Sequence, residues 1–308
     1  MIEHELFERS PKNPIIKPSH IPYPCDCVLN PAACMVDGEV LLLLRIIDQL
    51  GGSHITIARS KNGVDDWLIE DKPFLAARDD APYEVYGCED PRVAYLKDRE
   101  EYVITYTGYS PLGPGVCIAT TRDFNTVDRY GLVLPPNNKD AAVFPRLING
   151  KYWMLHRPAL GAMEHIWVSE SNDLVHWGRP WCIIEERGGP WWDGEKVGNG
   201  PPPIETPEGW LVIFHGVKQT SHGPIYRVGL ALLDLDNPHK VIRRLPRWIL
   251  GPKAPYEVEG FVPEVVFPTG TIQKGDELWL YYGAADTRVA LATAKTQTLI
   301  DSLYEEGV

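Results

Sequence analysis

A chain of 308 residues with 44% hydrophobic content can bury a large core, as one sizeable all-β domain or as two smaller ones. The formal net charge of −12, with no long Lys/Arg run, excludes the electrostatic footprint of a nucleic-acid or anionic-membrane binder. No apolar stretch approaches the roughly 20 residues that span a bilayer, and the polar start at Met1-Ile2-Glu3-His4-Glu5 reads as no secretory signal, so a cytoplasmic protein is expected.

In chain order, one pattern of β-like runs and turns recurs five times. The first unit runs NPAACMV from Asn30, a turn at Asp37-Gly38-Glu39, VLLLLR to Arg45 and HITIARS to Ser60. The second runs EDPRVAYL from Glu89, a turn at Asp98-Arg99-Glu100, YVITYTG and GVCIATT. The third runs AAVFPRLI, a turn at Asn149-Gly150-Lys151, YWMLHRP and HIWVSES. The fourth runs GNGPPPIET, a turn at Glu208-Gly209, WLVIFHG and YRVGLALL, and the fifth runs GFVPEVVFP, a turn at Gly275-Asp276-Glu277, LWLYYGAAD and RVALATA. Each run is rich in Val, Ile, Leu or aromatics, and the turn residues suit tight hairpins.

The later runs recur about every 50 to 60 residues, the length of a four-stranded propeller blade. Such a unit cannot bury both faces of its sheet alone, and a closed ring of five achieves it. The expected fold is therefore all-β: one five-bladed β-propeller over residues 1–308, with a two-sheet sandwich as the competing architecture. The segment from Leu6 to Pro18 is expected to add the outer strand of the last blade. Leu299, Ile300, Leu303 and Tyr304 stand at helical spacing and predict a short C-terminal helix. The six cysteines, Cys25, Cys27, Cys34, Cys88, Cys117 and Cys182, are irregularly spaced and form no zinc grid, so reduced thiols are expected.

Matching positions of successive blades converge near a propeller's axis, which singles out polar residues that recur in phase. The strands that open each unit carry Asn30, Glu89-Asp90-Pro91-Arg92, Lys139-Asp140, Lys196 with Asn199, and Glu259 with Glu264. The ends of the hairpin strands carry Arg45, Tyr106, His156-Arg157, His215, and Tyr282 with Asp286. Such groups are costly among β-branched neighbours unless they are paired or line a cavity. The carboxylates suit glycosidic chemistry, in which an acid delivers a proton to the departing sugar oxygen. Asp90 is the candidate acid, with Arg92 placed to hold a carboxylate ionised by charge pairing. Lys139, Arg157, Lys196 and His215 concentrate positive charge in an acidic protein and call for an anion such as phosphate. No Gly-rich P-loop is present, which argues against a nucleotide. Trp191-Trp192, in the Gly-flanked stretch GGPWWDGEK, is the best candidate for a loop that touches sugar.

At these residues the chain resembles glycoside hydrolase family 130. The shared stretches are NPAA at Asn30, IARS at Arg59, CEDPRV around Asp90, KDAAVFP, NGKYWMLHRP through Arg157, KVGNGPPPIET from Lys196, GWLVIFHGV at His215, EGFVPEVVFPTG, and YYGAAD at Asp286. The resemblance implies an inverting β-mannoside phosphorylase: inorganic phosphate, a co-substrate and no cofactor, attacks a β-mannoside and releases α-mannose 1-phosphate. It implies Asp90 as the acid, acting through a sugar hydroxyl. It implies Lys139, Arg157, Lys196, His215 and Tyr226 around phosphate, and Asn30, Arg45, Arg59 and Asp286 around the mannose. The expected partners are a β-mannoside oligosaccharide and phosphate, with no nucleic acid, metal or membrane; the rim of a propeller also allows a homo-oligomer. Two departures from the family pattern are Lys139, where some phosphorylases carry Arg, and Glu264, where many members carry Asn. The competing readings are an inverting β-mannosidase, with Glu264 or Glu195 activating water, and a non-catalytic sugar-binding propeller. The linkage, β-1,2 or β-1,4, stays open at this stage.

Overall fold

The computed structural model describes residues 5–159, 161 and 164–308, and these are almost entirely β, closing with the α-helix Thr296–Glu306. Two short helical turns, Pro18–His20 and Pro255–Val258, interrupt the loops. Antiparallel strands follow one another along the chain in five groups. The first comprises Cys27–Val36, Glu39–Ile47, Ser53–Ser60 and Leu68–Ile69, and the second Gly87–Leu96, Glu101–Ser110, Gly113–Thr121 and Asp128–Leu134. The third comprises Asn138–Val143, Tyr152–Pro158, Ile166–Ser171 and Trp177–Ile184. In the fourth, Lys196–Asn199 and Ile204–Thr206 share the edge of Gly209–Thr220, followed by Gly223–Leu233 and Val241–Arg244. The fifth comprises Val266–Lys274, Glu277–Ala284 and Arg288–Lys295, and takes Glu8–Arg9 from the opposite end of the chain as its fourth strand. A single parallel bridge, Ser53 to Gly87, joins the first two groups into one continuous sheet.

The hairpins form where the turn residues demand. Asp37-Gly38 and Asn149-Gly150 take left-handed φ at both positions, with Asp37 at 50° and Asn149 at 52°, the geometry that matches strand twist in a two-residue hairpin. The middle strands are apolar on both faces because both faces are covered. Leu41 and Leu43 pack with Ile104 and Cys117 of the second group, whereas Leu42 and Leu44 pack with Tyr281 and Leu291 of the fifth. The same arrangement links second to third through Val103 and Met154, third to fourth through Leu155 and Phe214, and fourth to fifth through Ile213 and Leu280. The core is thus divided among clusters that each lie between two groups.

Leu299, Ile300 and Leu303 of the C-terminal helix are buried in the cluster of the fourth and fifth groups, but Tyr304 is exposed, so the apolar stripe is narrower than its spacing suggested. All six cysteines are free thiols, and burial pushes Cys25 and Cys182 up to about 11. Among the described residues no helix is long and apolar enough to cross a membrane.

Candidate active site

The first strands of the first three groups share one local device. In each, the ladder slips register, between Leu29 and Ala32, Glu89 and Arg92, and Lys139 and Ala142. Within each slip lies a residue in the left-handed region: Asn30 at φ 44°, Asp90 at 45° and Asp140 at 54°. Asn and Asp tolerate that region best after Gly, and a β-bulge bends the strand and redirects its side chain. Pro31 and Pro91 follow directly, where no ladder donor is needed. Three polar side chains are thereby taken off the pleat and brought together: Asn30 Nδ2 donates to Asp90 Oδ1 at 2.8 Å. The second strand of the fifth group contributes Asp286 from a left-handed turn, φ 47° at Ala285 and 48° at Asp286.

These side chains line a cavity of about 140 Å3, and its two sides differ in charge. One side holds Asn30, Arg45, Glu89, Asp90 and Asp286. Arg45 pairs through Nη1 with Asp90 Oδ1 at 2.8 Å and through Nη2 with Glu89 Oε1 at 2.5 Å, while its Nε donates to Ser53 Oγ at 2.9 Å. Burial raises the Asp90 carboxyl, but the charges of Arg45 and Arg92 and the hydrogen bonds from Asn30 and Arg45 outweigh it and bring it below the usual range. Asp286 has no such clamp. Burial, then the negative charges of Asp90 and Glu89, push it up to about 6. Burial also raises Glu89, against the attraction of Arg45.

The other side holds Lys139, Arg157, Lys196 and Tyr226, with Phe267 and Val265. Lys139 and Arg157 are cross-strand partners; Lys196 and Tyr226 flank Val217 on its two neighbouring strands. Lys196 Nζ lies 5.7 Å from the centre of the Tyr226 ring. Asp140, also on the lining, accepts from Arg92 Nη2 at 3.4 Å and forms an ion pair with Arg157 Nε at 3.0 Å, and Arg157 Nη1 forms a second ion pair with Glu164 Oε2 at 2.9 Å; neither Arg157 contact has hydrogen-bond geometry. Burial opposes ionisation of Asp140, but the permanent charges of Arg157 and Arg92 hold it well below the usual carboxylate range. A buried guanidinium held between two carboxylates, with Nε and Nη1 making no hydrogen bond among the described residues, keeps N–H groups available to a tetrahedral oxyanion.

The structure brings Asn30, Arg45, Asp90, Lys139, Arg157, Lys196, Tyr226 and Asp286 to one cavity. His215 lies one layer back, fully buried, with Nε2 3.7 Å from Asp140 and its ring 4.4 Å from that of Phe267. Burial pushes His215 well below its ordinary value, so it is a neutral imidazole and adds no positive charge. Arg59 is placed elsewhere. It stands at the far end of Ser53–Ser60, six residues or about 20 Å of extended strand from Ser53, and pairs with Glu70 at 2.8 Å. Arg92 also differs from expectation: its Nη1 donates to the Asp90 backbone carbonyl at 2.8 Å, and Arg45 makes the direct pair with the carboxylate. Trp192 belongs to the core, whereas Trp191 is 45% exposed. Glu164 and Phe267 are site residues that sequence reasoning did not select, whereas place in the repeat singles out Glu89 and Asp140 without giving them a role. For Asp140 a signal existed, since it occupies the same place in its unit as Asn30 and Asp90.

An all-β chain whose successive sheets deliver carboxylates and cations to one cavity has the equipment for acid catalysis beside a bound anion. A family model described as beta-1,4-mannooligosaccharide phosphorylase matches residues 7–305, and the chain belongs to glycoside hydrolase family 130. It is similar to the beta-1,2-mannobiose phosphorylase of Listeria innocua, 40% identical over 83% of this chain and 70% of that one. It is also similar to the 1,2-beta-oligomannan phosphorylase of Thermoanaerobacter, 37% identical over 86% of this chain and 88% of that one. The solved structure of the Listeria innocua enzyme with beta-1,2-mannobiose superposes with a TM-score of 0.90, at 32% identity, over 97% of this chain and 99% of that chain.

Proposed function

We propose that this protein is an inverting β-mannoside phosphorylase and that its five strand groups are the blades of a single five-bladed propeller over residues 1–308. Phosphate, held by Lys139, Arg157, Lys196 and Tyr226, attacks the anomeric carbon of a terminal β-mannosyl unit; the acceptor departs with a proton that originates at Asp90, and α-mannose 1-phosphate is released. Asn30, Arg45 and Asp286 surround the mannosyl unit. His215 supports this site by packing against Asp140 and Phe267.

The observation that carries the reading is the set of cations, Lys139, Arg157 and Lys196, in the same cavity as Asp90, with Arg157 ion-paired to Asp140 and Glu164. A hydrolase has no use for such an anion site, and neither carboxylate expected for water activation, Glu264 or Glu195, lines the cavity. The Listeria innocua and Thermoanaerobacter relatives are named for β-1,2 linkages, which favours β-1,2-mannobiose or its oligomers as substrate. Six free thiols and a phosphate co-substrate fit the cytoplasm.

The test is incubation with α-mannose 1-phosphate and a panel of acceptors (mannose, glucose, N-acetylglucosamine, fructose), following phosphate release and product linkage. Release with mannose and a β-1,2 product is expected. Silence across the panel, with mannobiose cleaved in phosphate-free buffer, would make the enzyme a hydrolase.

A further inference from the structure

Trp191 is the one member of the Trp pair that the core does not absorb, and its surroundings make it a prepared surface. Arg187 lies against its ring, Cζ 3.9 Å from the centroid. That guanidinium is itself fixed, donating from Nε to Asp193 Oδ1 at 2.8 Å and from Nη2 to the Pro246 carbonyl at 2.7 Å. Trp192 Nε1 donates to the same carbonyl at 3.0 Å, and Asp193 is fully buried against Arg244. The indole is therefore backed by a rigid cation while 45% of the residue stays exposed.

The loop is joined to the cavity through the chain. It feeds directly into Lys196–Asn199, whose first residue lines the cavity, so Trp191 is at most about 18 Å of chain from Lys196. Lys218 Nζ donates to the Gly189 carbonyl, and Glu195 N donates to the Val217 carbonyl at 2.9 Å. Val217 is the residue that lies between Lys196 and Tyr226, so the loop is tied to the edge of the anion side.

We propose that the exposed face of Trp191 is a stacking platform for a mannosyl unit of the acceptor chain, beyond the bond that is cleaved; this rests on the phosphorylase reading above. A β-mannopyranosyl ring carries its axial hydrogens at C1, C3 and C5 on one face and its axial 2-hydroxyl on the other. The first face is apolar and flat enough to lie on an indole. Because Arg187 already holds the ring, little side-chain entropy is lost on binding. The platform makes the enzyme prefer oligosaccharides over the disaccharide.

The experiment compares wild type, Trp191→Ala and Trp191→Phe, with melting curves confirming the fold. Initial rates of phosphorolysis are taken on β-1,2-mannobiose, mannotriose and mannotetraose, with the β-1,4 series in parallel, and binding of mannotetraose is titrated by calorimetry. In Trp191→Ala the ratio of kcat/KM for the tetraose over the disaccharide falls about tenfold, equivalent to about 1.4 kcal/mol, mainly through KM, and the Kd for mannotetraose rises about tenfold. Trp191→Phe keeps most of both. Equal losses at every chain length, or an unchanged Kd, overturn the platform. A wild type that phosphorolyses none of the series but binds mannotetraose in a Trp191-dependent manner overturns the phosphorylase reading alone; one that neither cleaves nor binds overturns both.

Discussion

Asp90 must deliver a proton, yet Arg45, Arg92 and Asn30 hold it ionised. A phosphate dianion on the opposite side of the cavity, together with displacement of water by sugar, acts against those three and raises the carboxyl. The pH profiles should report this. kcat/KM for phosphate reflects the free enzyme and kcat the ternary complex, so the alkaline limb of kcat should lie at least about one pH unit above that of kcat/KM. Coincident limbs would show that phosphate does not shift the acid. Asp286 presents the opposite case, because burial and Asp90 lift it from 3.8 to about 6. Its protonated form is the one the fold favours, so no penalty exists below pH 4; the penalty grows from pH 4 to 6 and is complete above that, on the order of 1–3 kcal/mol. Asp286→Asn should therefore raise the melting temperature at pH 7, leave it unchanged at pH 4, and lose activity. A gain of equal size at both pH values would place the effect outside ionisation.

At the level of strands, the bulge that frees Asn30 depends on its neighbour. A Cβ on Gly283 would lie 1.9 Å from Asn30 Oδ1, so Gly283→Ala forces the fifth group's second strand or Asn30 to move. Gly178→Ala, with nothing within 4 Å of the added carbon, is the matched control. The first should cost about 1–3 kcal/mol and a larger share of activity, since Asn30 then no longer donates to Asp90. The second should change neither in chemical denaturation or rate assays. The strands themselves were legible to different degrees. The hairpin runs stood out because both faces are covered and every position is apolar. The outer strands Trp177–Ile184 and Val241–Arg244 are mostly half-buried or exposed, and Leu68–Ile69 is two residues long, so none shows a period. GFVPEVVFP joins the ladder only from Val266, and GNGPPPIET divides around its prolines into two short strands. In-phase repetition found most of the cavity residues. It failed at Glu164 and Phe267, which have no counterpart in the other units, while Arg59, which comes from the family resemblance alone, stands at the end of its strand away from the site.

Across the whole molecule, the amino-terminal strand ties the start of the chain to the last strand group, which also packs directly on the first. Glu8–Arg9 pairs with Arg288–Lys295, and Asn13 accepts from the Leu291 backbone at 2.8 Å, so residues far apart in sequence complete one sheet. The fixing point is Glu257, fully buried, which takes Arg9 Nε at 2.8 Å, the Tyr282 hydroxyl at 2.7 Å, and the backbone N–H groups of Lys253 and Ala254 at 2.8 and 2.9 Å. Removing only the cation leaves a desolvated carboxylate without its charge partner, which costs about 3–5 kcal/mol. Arg9→Met should therefore lower the denaturation midpoint sharply. Much of that loss belongs to the stranded charge, so adding Glu257→Gln, which keeps hydrogen bonding but removes the charge, should recover a substantial part of it; the two substitutions are coupled. If the strand is what holds the fifth group against the first, the single variant should also weaken mannoside binding, because Asp286 comes from the fifth group and Arg45 and Asn30 from the first. An additive double variant would show that Arg9 acts through its contacts with Glu5 and the Gly251 carbonyl instead, and that the amino-terminal strand is closed by backbone pairing alone.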